Sequence, residues 1–201
     1  MKECFEWISS WCDHTEKADM PRILLIGDSI TRGYQGFVRE FLHDICYVDY
    51  IATSYAIDTS FYFDLIRAFV ADSDYAAVHL NHGLHGAHMS RKVYEERLRE
   101  LLCGIRRAGA RPILATTTVA YESGNQTPSE VWTPRVEERN AVVCALAKEL
   151  GIPLDDLNSV SLSVAMSDRT ADGIHYTEEG FRVLAKAVAQ NIKININSRQ
   201  K

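Results

Sequence analysis

The chain lacks a long hydrophobic run, a cysteine framework and an excess of positive charge, and each gap removes a class of protein. Its longest apolar stretches, such as Ala141 to Ala147, fall far short of the roughly 20 residues that a bilayer demands. No membrane span is expected. The N-terminal MKECFEWISSWCDH sets Glu3, Glu6 and Asp13 among its aromatics, so it has neither the basic start nor the unbroken apolar stretch of a secretory signal. A cytoplasmic protein is expected of the chain as it stands, although a leader removed from ahead of it would leave the same sequence.

The five cysteines (Cys4, Cys12, Cys46, Cys103 and Cys144) are odd in number, widely spread and without a C-x-x-C pair, which points to free thiols rather than a disulfide framework or a zinc knuckle. A formal net charge of −5 with no cluster of Lys and Arg speaks against nucleic acid, whose binding draws on grouped cations. No oligomeric state can be read from these features.

What is present is an ordinary globular composition: 201 residues, 46% hydrophobic and 24% charged. That is enough to bury one full core, so one domain over residues 1–201 is expected, with 1–21 as an N-terminal extension and 22–193 as the core. From Arg22 onward, short apolar runs alternate with segments of helical period, the signature of an α/β fold with a parallel sheet covered on both faces. Strands are expected at Ile23-Leu24-Leu25-Ile26, Cys46 to Thr53, Tyr75 to Asn81, Pro112 to Ala120 and Ile152 to Leu154. Helices fill the gaps. The first carries Phe37, Val38, Phe41, Leu42 and Ile45 at three- and four-residue steps, and Ser90 to Ala108 places Val93, Leu98, Leu101, Leu102 and Ile105 on one side. In Pro134 to Leu150 the stripe is Val136, Val143, Leu146 and Leu150, closed by Gly151, and the last helix opens at Thr177 and buries Phe181, Leu184, Val188 and Ile192. The long irregular stretch Tyr121 to Thr133, with Gly124, Asn125, Pro128 and Trp132, has the length of a functional loop.

Two short motifs carry chemistry. Gly27-Asp28-Ser29-Ile30-Thr31 falls where the first strand ends and a helix begins, the edge at which open α/β sheets bind ligands and where free helix N–H groups favour negative charge. Ser29 there is either an N-cap or a nucleophile. Asp172-Gly173-Ile174-His175 precedes the last helix; an Asp three residues before a His can fix the tautomer of an imidazole that takes a serine proton. His175 alone could equally be a polar residue at a helix start. Asp28 has a structural reading, its carboxylate accepting backbone N–H bonds in the loop.

With these residues the chain resembles the GDSL, or SGNH, esterases and lipases. The resemblance runs from Ile23 to about Ala189, is carried by Ile-Gly-Asp-Ser-Ile-Thr at 26–31 and Asp-Gly-Ile-His-Tyr-Thr at 172–177, and has weaker support from Glu138-Arg139-Asn140 and from Ala115 to Ala120. It implies a flavodoxin-like three-layer α/β/α sandwich and a Ser29–His175–Asp172 triad that hydrolyses esters through an acyl-enzyme, with no cofactor. The family forms its oxyanion hole from the nucleophile's N–H, a glycine N–H after the second strand and an asparagine after the third. Here the second block reads Ala56-Ile57-Asp58, without the glycine, and leaves either Ala56 or Ile57 as the donor. The third reads Leu80-Asn81-His82-Gly83-Leu84-His85, in which Asn81 is the expected donor and His82 or His85 the substitute under a shifted register.

The implied substrate is a small acyl ester, such as an acetyl group on carbohydrate, with lysophospholipids and thioesters as alternatives. Two rival classes stand beside this reading. His79, His82, His85 and His88 recur every third residue and would suit a metal-dependent hydrolase, although Gly83 and Gly86 interrupt any helix that could align them. His79, in mid-strand, is expected to be a hydrogen-bonded structural residue, with His82 or His85 facing substrate. The altered second and third blocks would also suit a non-catalytic ligand-binding domain.

Overall fold

A computed structural model describes residues 5–124 and 127–197; Cys4 and Asn125 lie outside them. In chain order the elements are β1 (Ile8–Trp11), β2 (Arg22–Gly27), α1 (Ser29–Leu42), β3 (Tyr47–Thr53), α2 (Ser60–Ala71), β4 (Tyr75–Leu80), α3 (Arg91–Arg107), β5 (Arg111–Ala115), α4 (Thr133–Leu150), β6 (Leu154–Asp155), α5 (Leu157–Leu162) and α6 (Glu178–Asn197), with a 3₁₀ turn at Met166–Asp168. The strands form one sheet in the order β1-β3-β2-β4-β5-β6. All neighbours are parallel except β1, which runs antiparallel to β3 with Ile8 opposite Thr53 and Trp11 opposite Tyr50.

Without β1, this is the flavodoxin-like strand order. Strand order reverses between β2 and β4, and the crevice beyond the carboxyl ends of those two strands is where such sheets take ligands.

Alternation along β2 divides the interior in two. Ile23 and Leu25 face α1 and α6, packing with Tyr34, Val38, Leu184, Val188 and Ile192, while Leu24 and Ile26 face α2, α3 and α4, packing with Tyr62, Ile66, Leu98, Leu102 and Leu146. A run apolar at every position fits a strand buried on both faces. Among the described residues no helix is long and apolar enough to cross a membrane.

Several elements differ from the sequence expectation. The segment 1–21 is not merely an extension to the core: β1 lies within it as a strand of the sheet, and Arg22 locks its end by donating to the Asp13 carbonyl (2.6 Å) and to Asp49 (2.7 Å). The strand expected over Pro112 to Ala120 stops at Ala115, because β6 offers only Leu154 and Asp155 to pair with. Thr116 takes the last backbone bond to β6, at the Asp155 carbonyl (3.0 Å), and the N–H groups of Thr117 and Val119 are tied to the side chains of Asn140 and Ser161 instead. In α3 the buried face holds Tyr94 rather than Val93, which is 36% exposed. In α1 the helix ends at Leu42, and its buried face is Ile30, Thr31, Tyr34, Val38 and Leu42, with Phe41 outside.

Candidate active site

The turn out of β2 places Ser29. Asp28 is the N-cap of α1, its Oδ1 accepting the Ile30 N–H at 2.9 Å, so the capping role considered for Ser29 belongs to its neighbour and the Ser29 hydroxyl is left for other partners. The other carboxylate oxygen of Asp28 lies against Gly83, where a Cβ would come within 1.8 Å of it. The loop after β4 therefore approaches the helix start as closely as it does only because residue 83 is glycine.

The segment before α6 delivers the other two groups. Asp172 Oδ1 accepts from the Thr170 hydroxyl (2.8 Å) and from the backbone N–H groups of Ile174 (2.8 Å) and His175 (2.9 Å), and Oδ2 accepts from His175 Nδ1 at 2.6 Å. Burial alone would raise the Asp172 carboxyl, but the donors from His175, Ile174 and Thr170 outweigh it and hold it well below the usual carboxylate range. On the opposite side of the ring, the Ser29 hydroxyl lies 2.7 Å from His175 Nε2. Ser29 and the Asp172–His175 turn, distant in sequence, thus form one hydrogen-bonded line.

The turn that carries this line is held from several directions. Thr170 N–H donates to the His175 carbonyl (3.0 Å), Tyr121 N–H to the Gly173 carbonyl (2.9 Å) and Gly124 N–H to the Ala171 carbonyl (3.1 Å). Gly173 adopts φ +77°, with its α-carbon so near the Tyr121 backbone that a Cβ would lie 2.2 Å from the Tyr121 oxygen. Buried Arg169 donates to the carbonyls of Ser161 and Val164 and lies over the rings of Tyr121 (4.5 Å) and Tyr176 (5.3 Å).

Ser29 and His175 open into a cavity of about 210 Å³ that Asn81, His85, Val119 and Trp132 also line. Its volume is below the roughly 300–1,000 Å³ of sites for drug-sized ligands. Asn81 sits at the end of β4, its amide donating to the Thr116 carbonyl at 2.9 Å and more weakly toward Ala115 at 3.4 Å. Both contacts leave from the same nitrogen and hold the Asn81 side chain against the end of β5.

The remaining site candidates lie elsewhere. Ala56 and Ile57 are buried at 1% and 0% exposure and are not among the residues lining the cavity. His82 likewise does not line it: Asn81 takes the cavity side, and its neighbour turns inward between Tyr62 and Tyr94, at ring distances of 5.4 and 6.1 Å. Burial first, then the neighbours His85 and Arg139, push His82 down to about 3.

The histidines that recur in sequence disperse in space. His79 is fully buried and bonded to the Asp155 carboxylate (2.9 Å), and His88 is bonded to Asp58 (2.6 Å), which ties the loop after β4 to the loop after β3. Among the described residues no group of three or more His, Cys, Asp or Glu is arranged to hold a metal ion.

Thr117, Thr118 and Val119, which the sequence does not single out, line the cavity, as does Trp132 from the stretch expected to be a functional loop. They flank or belong to the long irregular stretch. Asn140 from α4 fixes this wall by accepting the Thr117 N–H (2.7 Å) and donating to the Thr117 carbonyl (3.0 Å). Its neighbour Arg139 donates to the carbonyls of Gly86 (3.2 Å) and Met89 (3.3 Å), so one turn of α4 supports two cavity loops.

No protein-family model and no curated protein matches the sequence. Solved structures do match in fold. A lipase/acylhydrolase from Enterococcus faecalis superposes with TM-score 0.65 at 20% identity, over 87% of this chain and 96% of that one. A GDSL-like lipase from Bacteroides thetaiotaomicron gives 0.65 at 20% identity, over 86% and 88%. A catalytic mutant of an acetylxylan esterase from Geobacillus stearothermophilus gives 0.64 at 18% identity, over 86% and 94%. The chain has the flavodoxin-like three-layer α/β/α fold of the GDSL, or SGNH, hydrolases.

Proposed function

We propose that the protein is a serine esterase of the SGNH type that cleaves small acyl esters, with O-acetyl groups on carbohydrate as the leading substrate class. The observation that carries this reading is the continuous line Ser29 Oγ, His175 Nε2, His175 Nδ1, Asp172 Oδ2, with contacts of 2.7 and 2.6 Å. A serine hydroxyl becomes a nucleophile at neutral pH only when a neutral imidazole accepts its proton, and the carboxylate keeps that imidazole in the required tautomer.

In the first half-reaction Ser29 Oγ attacks the ester carbonyl carbon as its proton passes to His175 Nε2. The carbonyl oxygen gains negative charge beside the Ser29 N–H, at the start of α1, with the Asn81 amide lining the same cavity as the second donor. His175 then protonates the leaving alkoxide as the C–O bond breaks. Water, deprotonated by His175, attacks the acyl-enzyme in the second half and releases the acid and free Ser29. Small acyl groups suit a cavity of about 210 Å³, and an acetylxylan esterase among the structural neighbours supports an acetyl group on sugar.

A fluorophosphonate probe tests the reading, because it labels a serine only when the hydroxyl is activated. Labelling is expected at Ser29, absent in Ser29→Ala and His175→Ala, and unchanged by a chelator. A folded wild type that takes no label and turns over no p-nitrophenyl acetate would instead be a ligand-binding domain, and chelator-sensitive turnover would move the chemistry to a metal.

A further inference from the structure

We propose that Val119 sets the length of acyl group the site accepts, by separating the Ser29 cavity from a larger apolar cavity beyond it. The inference rests on the reading of Ser29 as nucleophile. The cavity at Ser29 measures about 210 Å³ and the second, between α4 and α5, about 400 Å³. Val119 lines both. It is half-buried while its neighbours Thr118 and Ala120 are buried. The partition has a second component at the start of α4, where Trp132 borders the first cavity and Thr133 the second.

The second cavity suits hydrocarbon. Of its polar side chains, Asn140 spends both its oxygen and its nitrogen on the backbone of Thr117, and Asn158 donates its amide to the same Thr117 carbonyl at 2.8 Å. Val119, Ala120, Pro128, Val136 and Leu162 make up most of the remaining wall, beside Tyr121, Thr133 and Glu137, the last of which is exposed to solvent. Leu162 is 59% exposed, so this cavity opens to solvent beside it. In the wild type a two- to four-carbon acyl group fills the first cavity and stops at Val119. Shortening Val119 would open the way for a longer chain, and each methylene seated beyond it gains about fourfold in kcat/KM, from ~0.8 kcal/mol per buried CH₂.

The test is kcat/KM on p-nitrophenyl acetate, butyrate, hexanoate and octanoate for the wild type, Val119→Ala, Val119→Phe and the double variant Val119→Ala/Leu162→Arg, with thermal melts to confirm folding. The wild type should fall steeply beyond butyrate. Val119→Ala should raise the octanoate-to-acetate ratio at least tenfold, Val119→Phe should lower the butyrate-to-acetate ratio, and Leu162→Arg should cancel the gain by placing a charge in the second cavity. A parallel profile in wild type and Val119→Ala overturns the proposal. So does a gain that survives Leu162→Arg, since it would reflect general loosening. Failure of the wild type to turn over acetate at all would refute the Ser29 reading itself, a result that the ratios cannot mimic.

Discussion

Replacing Asp172 by asparagine should remove the function of His175 while leaving its position almost unchanged, and the hydrogen bonds explain why. Three donors, the Thr170 hydroxyl and the N–H groups of Ile174 and His175, converge on Oδ1 at 2.8, 2.8 and 2.9 Å. The asparagine side chain of Asp172→Asn must present its oxygen to them, which forces its NH₂ against His175 Nδ1, where the carboxylate Oδ2 stands at 2.6 Å in the wild type. A donor facing Nδ1 compels that nitrogen to accept, so the ring proton moves to Nε2 and confronts Ser29 with a donor. The base is lost by tautomer, not by displacement. The expected fall in kcat is about 10⁴-fold, or ~5 kcal/mol in activation free energy, with KM little changed because the carboxyl does not touch the ester. Because the three local bonds survive and the Asp172 side chain is 49% exposed, stability should change by no more than ~1 kcal/mol. Steady-state kinetics on p-nitrophenyl acetate beside thermal melts read both quantities. Activity within tenfold of wild type, or a loss matched by unfolding, refutes the tautomer argument.

Other perturbations read different parts of the fold. Asp172 is held below the usual carboxylate range, so it stays ionised as pH falls through the region where a free carboxyl titrates. The acid limb of kcat/KM should therefore show no step at roughly pH 4, and a step there that is absent in Asp172→Asn would refute this. His82, pushed down to about 3 by burial and by its neighbours His85 and Arg139, is neutral when folded but takes a proton when unfolded below about pH 6.5. Its contribution is therefore complete above pH ~6.5 and lost as pH falls toward 3, at up to ~1.4 kcal/mol per pH unit. Urea melts of His82→Phe across that window should show a flatter decline than wild type, and parallel curves would refute the assignment. Gly173→Ala, at φ +77° with its Cβ 2.2 Å from the Tyr121 oxygen, should cost roughly 1–3 kcal/mol and lower kcat at least ~100-fold by shifting the triad turn. Leu184→Ala, fully buried in α6, should cost about 2–5 kcal/mol by calorimetry and leave kcat nearly intact.

How much of the fold was legible followed from how local its causes are. β2 is apolar from Ile23 to Ile26 because both faces are covered, and α4 announces itself by Pro134 at its start and Gly151 in left-handed backbone at its end. Such signals sit within a few residues. β1 gave none: Ile8-Ser9-Ser10-Trp11 is four residues long, its side chains mostly exposed, and it is a strand only because β3 pairs with it. The end of β5 is likewise set elsewhere, since Thr116 to Val119 have strand-forming side chains but no partner strand beyond Asp155.

The site divides along the same line. Ser29, Asp172 and His175 were legible because each sits in a short motif whose chemistry constrains its own neighbours: Asp172 and His175 are bonded within a single turn, and Asp28 caps the helix that Ser29 begins. The walls were not. Whether Asn81 or His82 lines the cavity depends on which of two adjacent side chains the end of β4 turns toward it, and a shift of one residue reverses the answer. That choice is fixed at a distance, by the Thr116 carbonyl that holds Asn81 and by the rings of Tyr62 and Tyr94 that receive His82. Val119 and Trp132 line one cavity from two segments that Asn140, by clamping Thr117, and the start of α4 at Thr133 position separately. The line Ser29–His175–Asp172 can thus be read from motifs, whereas the cavity walls are assembled by tertiary contacts, and it is at Val119 rather than at Ser29 that the proposed specificity has to be tested.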